Sequence, residues 1–217
     1  MPARLHTGGH FRVWLGARLG GDAELGDRAW RRILHSLGAF ALVYYLLPTH
    51  FFVVLPKEDV LLLALVAVLC LEVLRHVAGV EIPTIRPYEA HRVASFAFFA
   101  LALVGAILLF PVPVGAAVIL GTSLVDPIAG ELRRHHPSAA VRWGVPVAAY
   151  VPLALVGMVL VGHWPLLPSV GLAGLAAVLA VAVEQPKVMW ADDDLAMTFV
   201  AAFALYIVGV VVLGLPV

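Results

Sequence analysis

The chain has 217 residues, of which 62% are hydrophobic and 13% charged, and its net charge at pH 7 is zero. Soluble globular domains carry about 25% charged residues, so this composition excludes an ordinary soluble domain and indicates an integral membrane protein. The balanced charge gives no sign of nucleic-acid binding, and the single cysteine, Cys70, excludes a disulfide framework or a cysteine zinc site within one chain.

The apolar residues are gathered in long blocks, and a helix needs about 20 of them to cross a bilayer. The blocks lack the alternation of apolar and polar residues that a membrane β-barrel requires. We therefore predict an all-α integral membrane protein with a bundle of about seven transmembrane helices. Residues 1–32 are predicted to form a cytoplasmic or interfacial N-terminal segment, and residues 33–217 the polytopic membrane domain. The predicted spans are 33–55, 60–77, 93–110, 112–125, 145–161, 166–183 and 195–215.

The charged residues indicate the orientation of this bundle. With seven spans, all of the 14 Lys and Arg residues except Lys57 fall on one side of the membrane. Cytoplasmic segments carry an excess of Lys and Arg, so the N-terminus is predicted to be cytoplasmic. Of the 14 Asp and Glu residues, only Glu58 and Asp59 fall on the outer side. We therefore expect the chemistry of this protein at the cytoplasmic face.

Two pairs of opposite charges flank the second loop. Glu72 and Arg75 are three residues apart near the end of the second span, where they can pair on one side of a helix or reach the headgroups separately. Arg86 and Glu89 follow in the sequence RPYE, just before the third span. An arginine side chain can bind phosphate oxygens through two parallel hydrogen bonds, and the same segment would also serve as a cytoplasmic anchor.

Asp126 is the candidate on which the functional interpretation depends most. It ends the short fourth span, and Pro127 is expected to stop the helix there. Arg133 and Arg134 follow within two turns. An ionisable group at membrane depth is a functional candidate, and a carboxylate beside arginines could hold Mg²⁺ against nucleotide phosphates. A solvated helix cap is the structural alternative.

Further acids stand where the sixth and seventh spans meet the same face. Glu184 ends the sixth span, and Asp193 and Asp194 belong to a run of three aspartates that opens the seventh. One aspartate is enough to cap a helix. Three of them, with Glu184 eight residues upstream, are also suited to hold a divalent metal ion.

These motifs, in this order, resemble the polyprenol kinase family, which contains dolichol kinase, phytol kinase and CTP-dependent diacylglycerol kinase. The resemblance covers about residues 28–215. The stretch RRILH is similar to the family's Arg-(Arg/Lys)-x-Leu-His, and Glu72–Arg75 is similar to its Glu-x-x-Arg. RPYE is similar to its Arg-x-x-Glu, and VDPIAG to its Gly-Asp-x-x-Ala-Gly. Glu184 with DDDL is similar to the family's late Glu with Asp-Asp-Asn-Leu.

The resemblance implies transfer of a phosphoryl group from a nucleoside triphosphate, by family habit CTP, to the hydroxyl of a membrane prenol or diacylglycerol. Asp126 would hold Mg²⁺, or another divalent cation, or orient the hydroxyl. Arg86, Arg133 and Arg134 would neutralise phosphate charge. The residues that complete the site would be Glu72, Glu89, Glu184, Asp193 and Asp194.

The chain departs from the family at two motifs, and three alternatives remain open. Val125 replaces a glycine, and the Lys-Ser-x-Glu-Gly motif is replaced by a stretch in which Arg142 is the remaining candidate for phosphate binding. The missing glutamate favours a catalytically impaired, lipid-binding relative. A CTP:phosphatidate cytidylyltransferase would need the same kinds of residue. An ion-coupled transporter would place its ionisable groups nearer the midplane.

Overall fold

The computed structural model describes residues 17–18, 23–51, 55–78, 85, 89, 92–184 and 192–217. Seven α-helices make up most of this described part of the chain. They are α1 (Ala23–Ser36), α2 (Lys57–Ala78), α3 (Ser95–Leu109), α4 (Val112–His135), α5 (Ala139–Leu155), α6 (Leu166–Glu184) and α7 (Asp193–Leu205). A 3₁₀ helix at Leu37–Leu46 continues α1, and π-helical turns at Val156–Val161 and Tyr206–Val212 continue α5 and α7. Strands β1 (His50–Phe51) and β2 (Leu55–Pro56) pair antiparallel, with His50 opposite Pro56.

Five of the described helices are long and apolar enough to cross a membrane. Three of them are α2, α4 and α6, and the other two are α5 and α7, each with its π-helical extension. Helix α3 is a shorter apolar helix of 15 residues. The prediction of an all-α protein is confirmed for the described residues, and these five helices support a multi-pass membrane protein.

The first predicted span, residues 33–55, is wrong as a single membrane helix. Helical structure ends at Leu46, and Leu47 is extended with φ −73° and ψ 147°. Pro48 accounts for this end, because a proline ring disfavours the helical conformation of the residue before it. The chain then enters the β1–β2 pairing. The segment predicted as one span is therefore divided between α1, the 3₁₀ helix and a short hairpin.

The fourth span was predicted to stop near Asp126, and this is also wrong. Helix α4 runs through Pro127 to His135. An internal proline leaves one carbonyl of the preceding turn without its helical donor and usually costs about 3 kcal/mol. Here tertiary packing outweighs that cost, because every residue of α4 from Pro113 to Ser123 is buried.

Helix α4 is the centre of the bundle. It packs against α1, the 3₁₀ helix, α3, α5, α6 and α7. The helices can approach closely because their facing residues are small. A Cβ atom at Gly157 would lie 2.4 Å from the backbone nitrogen of Ala117, so α4 and the end of α5 are in backbone contact. Most of α2, by contrast, is exposed at the edge of the bundle.

Candidate functional site

A pocket of about 840 Å³ opens at the end of the bundle where α4 ends and α3 and α7 begin. We call this end of the molecule the charged end. Side chains from α1, α3, α4, the start of α7 and the segment before α3 surround the pocket. Its lining includes six arginines and five acids: Arg28, Arg31, Arg32, Arg92, Arg133, Arg134, Glu89, Asp126, Asp192, Asp193 and Asp194. The pocket therefore concentrates both signs of charge.

Three side chains from three helices converge at one point of this pocket. The Nε2 atom of His35 lies 3.8 Å from Oδ2 of Asp126 and 3.6 Å from Oδ1 of Asp194. The His35 ring stacks on Phe99 of α3, with 3.9 Å between the ring centroids. Asp126 is about one quarter exposed, and Asp194 is buried. We call His35, Asp126 and Asp194 the HDD cluster.

The start of α7 places Asp192 and Asp194 beside each other. Asp192 is the N-cap of α7, and its carboxylate accepts a hydrogen bond of 3.1 Å from the backbone N–H of Asp194. The hydroxyl of Ser95 donates to Asp192 at 3.1 Å and to Asp194 at 3.3 Å. Burial raises the pKa of Asp192 above its usual range, and the charges of Asp193 and Asp126 raise it further. Negative charge is therefore crowded at this point.

Arginines line the same pocket as these acids. Arg32 forms an ion pair with Glu131 on α4. Burial, together with the nearby charges of Arg28 and Arg31, lowers the pKa of Arg32 from its usual value, while Asp126 opposes that shift. Positive charge is thus crowded as well, so an anion bound between these side chains would gain from several of them at once.

Arg133 ties α4 to the end of α6. Its guanidinium forms an ion pair with Oε1 of Glu184 at 2.6 Å and donates a hydrogen bond of 2.9 Å to the Glu184 backbone carbonyl. Glu184 has no exposed surface, whereas Arg133 is about one fifth exposed and also lines the pocket. Glu184 therefore positions a pocket arginine.

The structure brings most of the predicted site residues to the charged end. Those that line the pocket are Asp126, Arg133, Arg134, Glu89, Asp193 and Asp194. Glu184 is connected to the pocket through Arg133. Arg86 lies outside the described residues.

Arg142 was predicted to bind phosphate, but it is not among the described residues that line the pocket. It lies in the first turn of α5. The physical reason is that α4 continues for nine residues beyond Asp126. At a rise of about 1.5 Å per residue, this extension carries the chain roughly 13 Å further along the helix axis before α5 begins.

Glu72 was a candidate supporting or metal-binding residue, and the structure instead gives it a buried partner. The Arg75 side chain donates two hydrogen bonds to the Glu72 carboxylate, at 2.9 and 2.7 Å, and one of 2.7 Å to the Arg92 carbonyl. Glu72 also accepts a hydrogen bond of 2.8 Å from the backbone N–H of Ala94, the N-cap residue of α3. In the described structure Glu72 does not line the pocket. The pair holds the start of α3 against the end of α2.

The predicted site did not include His35, Ser95 or the arginines of α1, all of which line the pocket. A signal for His35 existed in the motif RRILH, whose last residue it is. No spacing rule, however, relates His35 to Asp126 and Asp194, because their proximity depends on how α1, α4 and α7 pack.

The donor atoms of the HDD cluster fit a divalent metal ion. All three lie within 4.8 Å of one another. Two carboxylates suit hard divalent cations, including Mg²⁺ and Mn²⁺, and an imidazole nitrogen suits transition metals. Asp126 and Asp194 are therefore the residues that would hold the cation implied by the family resemblance.

We found no match for this chain among protein-family models, curated proteins or solved structures. What the pocket can bind is therefore decided by its own charges, shape and position in the bundle.

Proposed function

We propose that this protein is a lipid-alcohol kinase, which transfers a phosphoryl group from a nucleoside triphosphate, CTP by its family resemblance, to the hydroxyl of a membrane prenol or diacylglycerol. The observation that carries the proposal is the meeting of acids and arginines in one pocket of about 840 Å³ at the end of an apolar helix bundle. This volume lies within the range of about 300–1,000 Å³ that is usual for small-ligand pockets.

In this proposal the charged end faces the cytosol, the N-terminus is inside and the chain crosses the membrane seven times. The end of α1 and the 3₁₀ helix together make the first crossing, in place of one long helix. The positive-inside rule supports this orientation, because all Lys and Arg except Lys57 then lie on the cytoplasmic side. A charged nucleotide would arrive from the cytosol and a lipid alcohol from the bilayer. The two can meet only near the inner interface.

The lining of the pocket supports a separate role for each type of residue. Arg133 and Arg134 on α4, and Arg32 on α1, would neutralise the phosphates. Asp126 and Asp194 would hold a divalent cation, Mg²⁺ or another, which neutralises phosphate charge when it is bound. Arg86 keeps its predicted role as a phosphate ligand in this proposal, although it lies outside the described residues.

An apolar wall beside the acids would receive the lipid. Leu34 of α1 and Phe96 and Phe99 of α3 line the pocket next to the HDD cluster. The lipid hydroxyl oxygen would form a bond to the terminal phosphorus of the nucleotide. The bond from that phosphorus to the bridging oxygen would break, and the nucleoside diphosphate would leave with the electron pair. The hydroxyl proton would pass to a carboxylate of the pocket lining that does not bind the cation. Such a reaction depends mainly on positioning and charge stabilisation.

Purified protein in lipid nanodiscs, supplied with CTP or ATP, Mg²⁺ and a panel of lipid alcohols, tests the proposal. A kinase forms the lipid phosphate and the nucleoside diphosphate. We expect Asp126→Asn to abolish formation of the lipid phosphate. Asp59→Asn removes an exposed acid in the first turn of α2 and should leave the amount of lipid phosphate unchanged.

Each alternative function gives a different result in the same system. Pyrophosphate and a CDP-lipid, formed from phosphatidate, would identify a cytidylyltransferase. The absence of Mg²⁺-dependent binding of both CTP and ATP would identify a lipid-binding relative without activity. Solute uptake into proteoliposomes that Asp126→Asn abolishes would identify a transporter. Any of these results would overturn the kinase proposal.

A further inference from the structure

We infer that the HDD cluster is a binding site for a first-row divalent transition-metal ion such as Mn²⁺, with His35 as its nitrogen ligand. This inference rests on the proposed function only for the role of the ion in the reaction. Binding of the ion itself requires neither nucleotide nor lipid.

The distances within the cluster favour a bridging ion over direct contact. Nε2 of His35 lies 3.8 Å from Asp126 and 3.6 Å from Asp194, beyond the N–H···O hydrogen-bond range of about 2.7–3.2 Å. Two neighbouring ligands at about 2.2 Å from an octahedral ion such as Mn²⁺ are about 3.1 Å apart. The two distances from His35 would therefore shorten by about 0.5–0.7 Å, and the two carboxylate oxygens, which lie within 4.8 Å of each other, would also close on the ion. These movements would place all three atoms at bonding distance from one metal ion.

The supports of the three ligands favour a preorganised site. The His35 ring stacks on Phe99, and the Ser95 hydroxyl donates a hydrogen bond to Asp194. Asp126 lies on α4, the helix at the centre of the bundle. Outer contacts of this kind orient metal ligands, and losing one typically lowers metal affinity about 10–100-fold.

The ligand set also determines which ion should be preferred. Asp126 and Asp194 alone would suit Mg²⁺ and Mn²⁺ about equally well, since carboxylates are hard oxygen ligands. The imidazole of His35 adds a nitrogen donor, which transition metals accept far more readily than Mg²⁺ does. We therefore expect Mn²⁺ to bind more tightly than Mg²⁺, and this preference to depend on His35.

Electron paramagnetic resonance of Mn²⁺ added to the metal-stripped, full-length protein without a histidine tag tests the inference. We expect one bound Mn²⁺ per chain, with nitrogen modulation from a coordinated imidazole in the pulsed spectrum. His35→Ala should remove that modulation and weaken Mn²⁺ binding by about tenfold or more, while changing Mg²⁺ affinity much less. His136→Ala, which removes an exposed histidine after α4, should leave both the nitrogen modulation and the Mn²⁺ affinity unchanged.

The wild-type spectrum alone can overturn the inference, so the test does not depend on the folding of a variant. Absence of bound Mn²⁺, or bound Mn²⁺ without nitrogen modulation, would exclude His35 as a ligand. Nitrogen modulation that persists in folded His35→Ala protein would assign the ligand to another histidine. None of these measurements involves phosphoryl transfer, so a failed kinase assay and a failed metal site are distinguished.

Discussion

Replacing Glu72 by alanine would remove a buried carboxylate that holds two helices together. Glu72 and Arg75 are both buried, and the variant loses two hydrogen bonds from Arg75 and one from the N–H of Ala94. Breaking a buried ion pair costs about 3–5 kcal/mol. We expect the lower value, about 3 kcal/mol, because Arg75 keeps its bond to the Arg92 carbonyl and its long side chain can reach water from the last turn of α2.

A double-mutant cycle shows whether this loss belongs to the pair. Arg75→Ala should also cost about 3 kcal/mol, since it leaves the Glu72 carboxylate buried. In the double variant both members of the ion pair are gone, so neither charge is left buried without its partner. The Ala94 N–H loses its bond to Glu72 and the Arg92 carbonyl its bond to Arg75, at about 1–3 kcal/mol each. We therefore expect about 4 kcal/mol for the double variant, and a coupling energy of about 2 kcal/mol.

Reversible unfolding in mixed detergent micelles measures these free energies. Asp59→Asn, at the exposed opposite end of α2, is the matched control and should unfold like the wild type. If the two single losses add within about 0.5 kcal/mol, Glu72 and Arg75 do not act as a pair, and the reasoning fails.

The structure leads to three further predictions. Gly157→Ala should lower the free energy of unfolding by about 1–3 kcal/mol, because its Cβ would meet the Ala117 backbone at 2.4 Å; unchanged unfolding in micelles would contradict this close packing. In a phosphoryl-transfer assay, Arg134→Gln should raise the KM for the nucleotide, whereas Arg142→Gln, outside the pocket, should not; equal effects would argue against the pocket as the nucleotide site. Burial raises the pKa of Asp192, so the folded protein binds the proton of this carboxyl group more tightly than the unfolded chain does. Proton binding at Asp192 therefore stabilises the folded protein at low pH, and the stabilisation is lost as the pH rises through the raised pKa. In EDTA, Asp192→Asn should therefore raise thermal stability at neutral pH, with a smaller gain at acidic pH; a gain independent of pH would refute this explanation.

The helix bundle could be predicted because the length of an apolar block is enough to indicate a membrane helix. Rules for single residues were less reliable where packing opposed them. Pro127 was expected to end a helix, but it lies in α4, whose preceding turns are buried among other helices. Pro48 did end the first helical segment, at a place where the chain is largely exposed. A proline thus ended a helix where the chain is exposed and lay within one where the preceding turns are buried.

For the site, the sequence predicted the end of the bundle but not all the residues that meet there. Asp126, Asp193 and Asp194 could be proposed because they stand at the ends of predicted spans on one predicted face. The motif RRILH contained His35, but its position beside two aspartates could not be predicted, because it depends on how α1 packs against α4. Arg142 lies outside the described lining of the pocket, since the extra turns of α4 could not be foreseen from a proline inside them.

The central place of α4 decides how the bilayer can act on this protein. Membranes of different thickness tilt or shift the helices that touch lipid. Helix α2 is largely exposed at the edge, where lipid can act on it directly, whereas α4 is enclosed by its neighbours. The depth of Asp126 is therefore set by protein contacts, and its alignment with His35 and Asp194 should persist when the lipid composition changes.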